Sequence, residues 1–283
     1  MPSADIVTRF APSPTGLLHL GHAYSAAIGQ ALARSAGGRW LLRIEDIDTT
    51  RCRPDFTAAI HHDLEWLGLL PDDTLVQSTR RAAHRQALDR LVDMGLAYPC
   101  FCTRADIAAA AQAPHGAQPV YPGTCRALDP AQAADRAAHE PHAIRLNATA
   151  RTCPLHWLEG TTPTPADPTR AGDVVLARKD IGVGYMLAAV VDDAHQGVTD
   201  VVRGHDLRDA TPTQRLLQTL LDLPAPRYHH HRLLLAPDGR RLAKRDKAET
   251  LVALREAGMD GPALAARLAG LAIMGPDTIL SVG

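Results

Sequence analysis

The chain has 283 residues with 30 Lys+Arg against 31 Asp+Glu, a formal net charge of -1, and it is 46% hydrophobic and 22% charged. That balance excludes intrinsic disorder and a nucleic-acid binder that relies on bulk positive charge, so an RNA or DNA partner would need a local patch. No run of 18 apolar residues predicts a membrane span, and residues 1–10, with Asp5 and Arg9, lack the apolar core of a signal segment.

In chain order, Asp5–Phe10 reads as a short buried strand with β-branched residues. Ala11-Pro12-Ser13-Pro14-Thr15-Gly16 follows, where two prolines forbid helix and predict an extended turn. The Ala-rich stretch from Leu20 to Ser35 predicts a helix stopped by Gly37-Gly38. Trp40–Ile44 then reads as a second strand, giving a β-loop-α-β unit and a parallel sheet. Phe56, Ile60, Leu64 and Leu67 share one face of a helix over 55–67, and Ser78 reads as the N-cap of a helix running to Met94.

Between about Tyr98 and Pro168 the texture changes to prolines, alanines and clustered cysteines, which predicts an insertion. Strand texture returns at Asp173–Arg178. A helix over Tyr185–Ala194 and a strand over Val198–Val202 follow. Thr211-Pro212 reads as a cap and N1 proline opening a helix with Leu216, Leu217, Leu220 and Leu221 on its apolar face. From about Pro226 come a strand, a charged loop and two short helices. The predicted division is 1–97 and 169–225 as two halves of one catalytic domain, 98–168 inserted between them, and 226–283 as a basic loop with short helices.

Four groups of residues carry chemistry. His19-Leu20-Gly21-His22 opens a helix just after a strand, where free N–H groups suit phosphate and Gly21 allows close approach. The two imidazoles can donate to charge developing on a phosphate. Neither a phosphate-loop lysine nor G-x-G-x-x-G is present, which disfavours a dinucleotide site. Arg240, Arg241, Lys244, Arg245 and Lys247 form a basic loop, in which a lysine suits a β- or γ-phosphate. Arg9 and Glu45 sit at the ends of adjacent strands, where open α/β sheets bind ligands, and describe a pocket for an amino acid. Arg203 ends a later strand as a second carboxylate clamp. Cys100, Cys102 and Cys125 suit tetrahedral zinc, with His115 or Tyr121 as the fourth ligand. Five cysteines, sparse and odd in number, fit a metal site in a reducing, cytoplasmic compartment better than disulfides.

Three stretches resemble the class I glutamyl-tRNA synthetases: Arg9–Gly16, His19–His22 and Leu42–Asp48. Further matches are Tyr185–Ala188 with Val191-Asp192-Asp193, and Gly197–Gly204, in order over roughly residues 5–247. The resemblance implies a class I, Rossmann-like parallel sheet with an inserted zinc-bearing subdomain and a short α-helical C-terminal part. It is closer to a shortened branch, the glutamyl-Q tRNA(Asp) synthetases, because the sequence has no room for an anticodon-reading helical domain after Lys247, and because that branch uses tyrosine in its zinc site, which selects Tyr121 over His115.

The resemblance also implies that Arg9, Ala11, Ser13, Glu45, Tyr185 and Arg203 line the glutamate pocket. Pro12, His19, Gly21, His22 and Lys244 would bind ATP with Mg²⁺, and His19, His22 and Lys244 would serve catalysis. Arg241–Arg245 departs from the family's Lys-Met-Ser-Lys-Ser, with Ala243 for a serine and Arg245 for the last residue. The implied activity is glutamyl-adenylate formation without tRNA, then transfer to queuosine at the wobble position of tRNA(Asp) by a monomer. Three alternatives are a truncated glutamyl-tRNA synthetase charging tRNA 3′ ends, a small-molecule nucleotidylyltransferase, and a silent RNA-binding paralogue.

Overall fold

The computed structural model describes residues 6–103, 105–107, 120–150, 154–234 and 250–271. Strand β1 (Val7–Phe10) is buried at all four positions, as its β-branched and aromatic residues require. Helix α1 (Leu20–Ser35) follows, then β2 (Arg39–Ile44), which runs parallel to β1 with Val7 opposite Arg39. The crossover is tight at Gly38, where a Cβ would lie 2.0 Å from the Ile6 carbonyl oxygen, so only glycine fits. The alanines of α1 serve close packing: Ala23, Ala26, Ala27 and Ala33 are buried, and the Gly29 carbonyl accepts from Thr8 Oγ1 at 2.7 Å.

Helix α2 (Pro54–Trp66) leads to β3 (Asp73–Val76), parallel to β2. The 3₁₀ turn Gln77–Arg80 precedes α3 (Arg81–Asp93). Ser78 therefore does not cap a long helix. Its hydroxyl and amide both donate to Asp46, each at 2.7 Å, and this holds the turn beneath the end of β2.

Residues 98–168 divide between two sheets. Strands β4 (Ala97–Cys100) and β5 (Ala143–Leu146), separated by α4 (Pro130–His139), pair antiparallel. By contrast, β6 (Leu155–Glu159) and β7 (Thr162–Ala166) form a hairpin that joins the second parallel sheet. Prolines 163 and 165 are tolerated because β7 is an edge strand. The expected strand at 173–178 is β8 (Val175–Arg178). It pairs with β5 and with β9 (Gly182–Val183), not with the parallel strands.

Helix α5 (Tyr185–His195) leads to β10 (Asp200–Gly204), and α6 (Thr211–Leu220) to β11 (Arg227–His231). The order β10-β11-β6 is parallel. Thr199 ties this sheet to the first, its amide donating to the Val7 carbonyl at 3.0 Å and its hydroxyl accepting from the Val7 amide at 2.9 Å. Thr211 does not cap α6. It is the first helical residue, and its hydroxyl accepts from Arg203 Nη2 at 2.8 Å.

Helices α7 (Leu251–Glu256) and α8 (Gly261–Leu271) close the core over α1 and α2, burying Leu251, Leu254, Leu264 and Leu268. A second core joins Leu88 and Leu91 of α3 to Leu187 and Val190 of α5 and Leu216 and Leu217 of α6. The first parallel sheet thus packs Phe10, Trp40, Leu42 and Ile44 against the first core, and the carboxyl ends of both parallel sheets open onto one cavity.

Candidate active site

That cavity has a volume of about 830 Å³, and Arg9, Ala11, Pro12, Ser13, His19, Gly21, His22, Glu45, Tyr185 and Arg203 all line it. Lys244 and the rest of 235–249, including Ala243 and Arg245, lie outside the described residues. Both flanks of that segment meet the cavity region. Leu234 lines the wall, Thr250 bridges His19, and the Leu251 amide donates to the Leu18 carbonyl at 3.0 Å.

The proline loop after β1 is extended because Pro12 and Pro14 have fixed φ and no N–H. Their carbonyls instead accept from the Glu45 and Arg53 amides, both at 3.0 Å, which pins the loop across the end of β2. His19 is the N-cap of α1. Its Nδ1 accepts from the Gly21 amide at 3.1 Å, and Nδ1 of His22 accepts from the His19 amide at 3.2 Å. Both rings therefore hold their neutral-form proton on Nε2, which makes that atom the donor. The ring centroids are 3.9 Å apart.

A charge network fixes the first pocket wall. Asp193 Oδ1 accepts from Arg9 Nε at 2.9 Å and Arg43 Nη1 at 2.7 Å, while Arg43 Nη2 donates to Glu45 Oε1 at 3.1 Å. Burial pushes the Asp193 carboxyl up, but the two guanidinium groups outweigh it and hold it below the usual range. Burial also raises Glu45, and here Arg43 and Arg9 compensate only in part. Glu45 Oε2 has no donor among the described residues, so the carboxylate is poised for a cation. Sequence reasoning missed Arg43 and the role of Asp193, whose only signal was its place in the Val191-Asp192-Asp193 match.

Arg203 differs from Arg9. It is 5% exposed, and its guanidinium donates to His230 Nε2, Tyr185 OH, Gln214 Oε1 and Thr211 Oγ1 at 3.1, 3.3, 2.8 and 2.8 Å. All four acceptors are neutral, and no carboxylate among the described residues pairs with it. A buried cation held only by neutral groups on a cavity wall is a receptor for an anion.

The Sγ atoms of Cys100, Cys102 and Cys125 lie within 4.8 Å of one another. Cys102 and Cys125 are 3.5 Å apart, and Tyr121 OH is 3.7 Å from Cys102 Sγ. Tetrahedral zinc with Zn–S near 2.3 Å separates its sulfurs by about 3.8 Å, so the donor set fits a metal ion. The Tyr121 hydroxyl also accepts from the Cys125 amide at 2.8 Å. His115 lies outside the described residues.

The family model for tRNA synthetases class I (E and Q), catalytic domain, matches residues 5–277. A glutamyl-Q tRNA(Asp) synthetase of Rhodobacter capsulatus is 47% identical over 285 residues, covering 94% of this chain and 100% of the relative. One from Symbiobacterium thermophilum is 45% identical, covering 93% and 85%. The solved glutamate tRNA ligase of Elizabethkingia meningosepticum, in complex with its amino acid, superposes with a TM-score of 0.79 at 27% identity. That match covers 94% of this chain but only 60% of the ligase.

Proposed function

The chain belongs to the family of class I tRNA synthetases (E and Q) and is an aminoacyl-tRNA-synthetase-like ligase. From that premise we propose that it activates L-glutamate with ATP, without tRNA, and transfers the glutamyl group to queuosine at the wobble position of tRNA(Asp). The observation that carries the amino-acid part is the pairing on one cavity of Arg203, a buried cation without a carboxylate partner, with the buried carboxylate of Glu45. Glutamate brings two carboxylates and one ammonium. In this reading Arg203 and Tyr185 take a carboxylate and Glu45 takes the ammonium, while Arg9, Ala11 and Ser13 complete the wall.

The remaining α-carboxylate oxygen attacks the α-phosphorus of ATP in line, the bond to the bridging oxygen breaks, and pyrophosphate departs. The protein positions the partners and stabilises charge. His19 and His22, held as Nε2 donors by their Nδ1 bonds, would donate to the α-phosphate. Lys244 binds the leaving pyrophosphate, and Mg²⁺ bound with ATP would supply neutralisation of the triphosphate charge. Losing one such donor raises the barrier by about 2.7–4 kcal/mol. The adenylate's acyl carbon is then attacked by a hydroxyl of the queuosine cyclopentene-diol, and AMP leaves. The thiols of Cys100, Cys102 and Cys125 with Tyr121 would hold a structural Zn²⁺, which stabilises this part of the fold when bound.

Glutamate-dependent ATP–pyrophosphate exchange, measured with and without tRNA, tests the reading. Exchange in the absence of tRNA, followed by labelling of queuosine-containing tRNA(Asp) but not of its unmodified form, is the expected result. Exchange only with tRNA(Glu), with charging at its 3′ end, would mark an ordinary synthetase. No exchange in either condition would favour a silent RNA-binding paralogue.

A further inference from the structure

Arg203 is held from its Nε side by an imidazole, and that imidazole is held by a carboxylate. Arg203 Nε donates to His230 Nε2 at 3.1 Å. His230 Nδ1 lies 2.7 Å from Glu159 Oε2, and the His230 amide donates to Glu159 Oε1 at 2.9 Å. The His230 side chain is only 1% exposed. Because Nε2 accepts from a guanidinium that is always protonated, the imidazole proton must sit on Nδ1 and point at Glu159. The tautomer is therefore fixed by the two neighbours together. The arrangement takes three different elements: β10 supplies Arg203, β11 supplies His230, and β6 supplies Glu159.

We propose that Glu159 and His230 are positioning residues for amino-acid binding, a relay that orients the Arg203 guanidinium while keeping its charge available to the substrate carboxylate. This rests on Arg203 taking a carboxylate of glutamate. A carboxylate bound directly to Arg203 would orient it equally well but would compete with the substrate for its charge. A neutral imidazole between the two avoids that competition. Four of the five guanidinium protons are then held by neutral acceptors, which leaves one on Nη2 and a displaceable bond from Nη1 to Tyr185 OH at 3.3 Å. The planar fork of arginine makes such pre-orientation worth more than charge alone.

The relay carries its own pH signature. Protonating His230 places a proton on Nε2, so that donor faces donor and cation faces cation at Arg203. The groups facing the imidazole are Glu159 from β6, Arg203 from β10, Thr211 from α6 and Tyr228 stacked on the same strand. Arg208 stands behind Glu159 at 3.8 Å. Burial, together with Arg203, keeps His230 below the usual imidazole range despite Glu159, so the neutral form prevails at pH 7. Glutamate binding should weaken only at pH values below the usual imidazole range.

The test is calorimetric Kd for glutamate and for ATP, between pH 5.5 and 8, on the full chain and four variants. His230→Ala should weaken glutamate at least tenfold and leave ATP within twofold. His230→Gln, whose amide oxygen accepts from Arg203 without titrating, should recover most of the affinity and reduce the acid weakening to what protonation of Glu45 alone produces. Glu159→Gln should give an intermediate loss. Equal loss of glutamate and ATP binding in His230→Ala, or an acid weakening in His230→Gln as large as in the unsubstituted chain, would overturn the relay. Arg203→Ala separates the two levels. If it leaves glutamate affinity unchanged, the reading of Arg203 fails. If it abolishes binding while His230→Ala and His230→Gln match the unsubstituted chain, the relay alone fails.

Discussion

Gly21 occupies a position where His19 folds its ring back over the start of α1. A Cβ there would lie 3.0 Å from His19 Cε1 and 3.1 Å from Nδ1, closer than ordinary contact. Gly21→Ala therefore displaces the ring and breaks its cap on the Gly21 amide, worth about 1 kcal/mol. The larger effect falls on chemistry, because Nε2 of His19 moves with the ring. We expect glutamate-dependent exchange to fall ten- to a hundredfold, roughly 1.4–2.7 kcal/mol of barrier, with a Tm decrease of only a few degrees. An unchanged exchange rate would mean that His19 does not act through Nε2. Arg9, Glu45 and Arg203 were legible in the sequence because ends of parallel strands face the ligand crevice. Arg43 was not. It reads as one residue of an apolar strand, and the carboxylate that compensates it, Asp193, is 150 positions away at 2.7 Å. No local pattern encodes such a pair, and once buried, neither charge can be spared alone.

At the scale of elements, helices with a continuous period were the most legible. The expected helix at Leu20–Ser35 has those bounds, and the one expected at Asp55–Leu67 spans Pro54–Trp66. The short strands were less so, because their pairing depends on partners distant in sequence. Hence β8 was readable as a strand but not as part of an antiparallel sheet, and the β6–β7 hairpin was hidden within a segment read as one insertion. The strand expected at 198–202 is Asp200–Gly204, since Thr199 is spent on joining the sheets.

Asp200 at the start of β10 locks β11 alongside. It is 1% exposed and accepts from His229 at 2.7 Å, Arg227 at 2.9 Å and Thr199 at 2.8 Å. Burial raises its carboxyl, but these bonds outweigh it and bring it down to about 2. A depressed folded-state value means that the contribution is complete above the unfolded pKa, about 3.9, and is lost as pH falls from there through about 2. Urea unfolding of the wild type should thus lose about 2 kcal/mol over that window. Asp200→Asn should lose that stability already at pH 7 and show a flatter acid limb. Parallel acid limbs in the two proteins would show that the unfolded state holds Asp200 equally low.

The whole molecule sets two chemistries apart. The cavity is walled mainly by the end of β1 and its loop, the loop after β2, the starts of α1 and α5, and β10, whereas the three thiols stand on β4, the loop after it and the turn at Thr124–Ala127. Asp173 couples the thiol cluster to the antiparallel sheet. It accepts from Tyr98 OH, from Arg126 at 3.0 Å and from the Ala148 amide at 2.8 Å. Arg145 of β5 lies over the Tyr121 ring at 3.9 Å and donates to the Asp173 carbonyl at 2.7 Å. A metal held by the thiols would therefore brace the antiparallel sheet without touching the amino-acid pocket. Elemental analysis should find one zinc per chain, and none after Cys125→Ser. The metal-free protein should keep glutamate-dependent exchange within about threefold, since a misplaced group outside the pocket leaves the first step intact, yet it should lose transfer to tRNA by far more. Its Tm should fall as well, because metal binding free energy is folding free energy for the segment that it closes. Loss of exchange and transfer in equal measure would mean that the antiparallel sheet, through Val175 and Arg178 on the cavity wall, holds the pocket itself in shape.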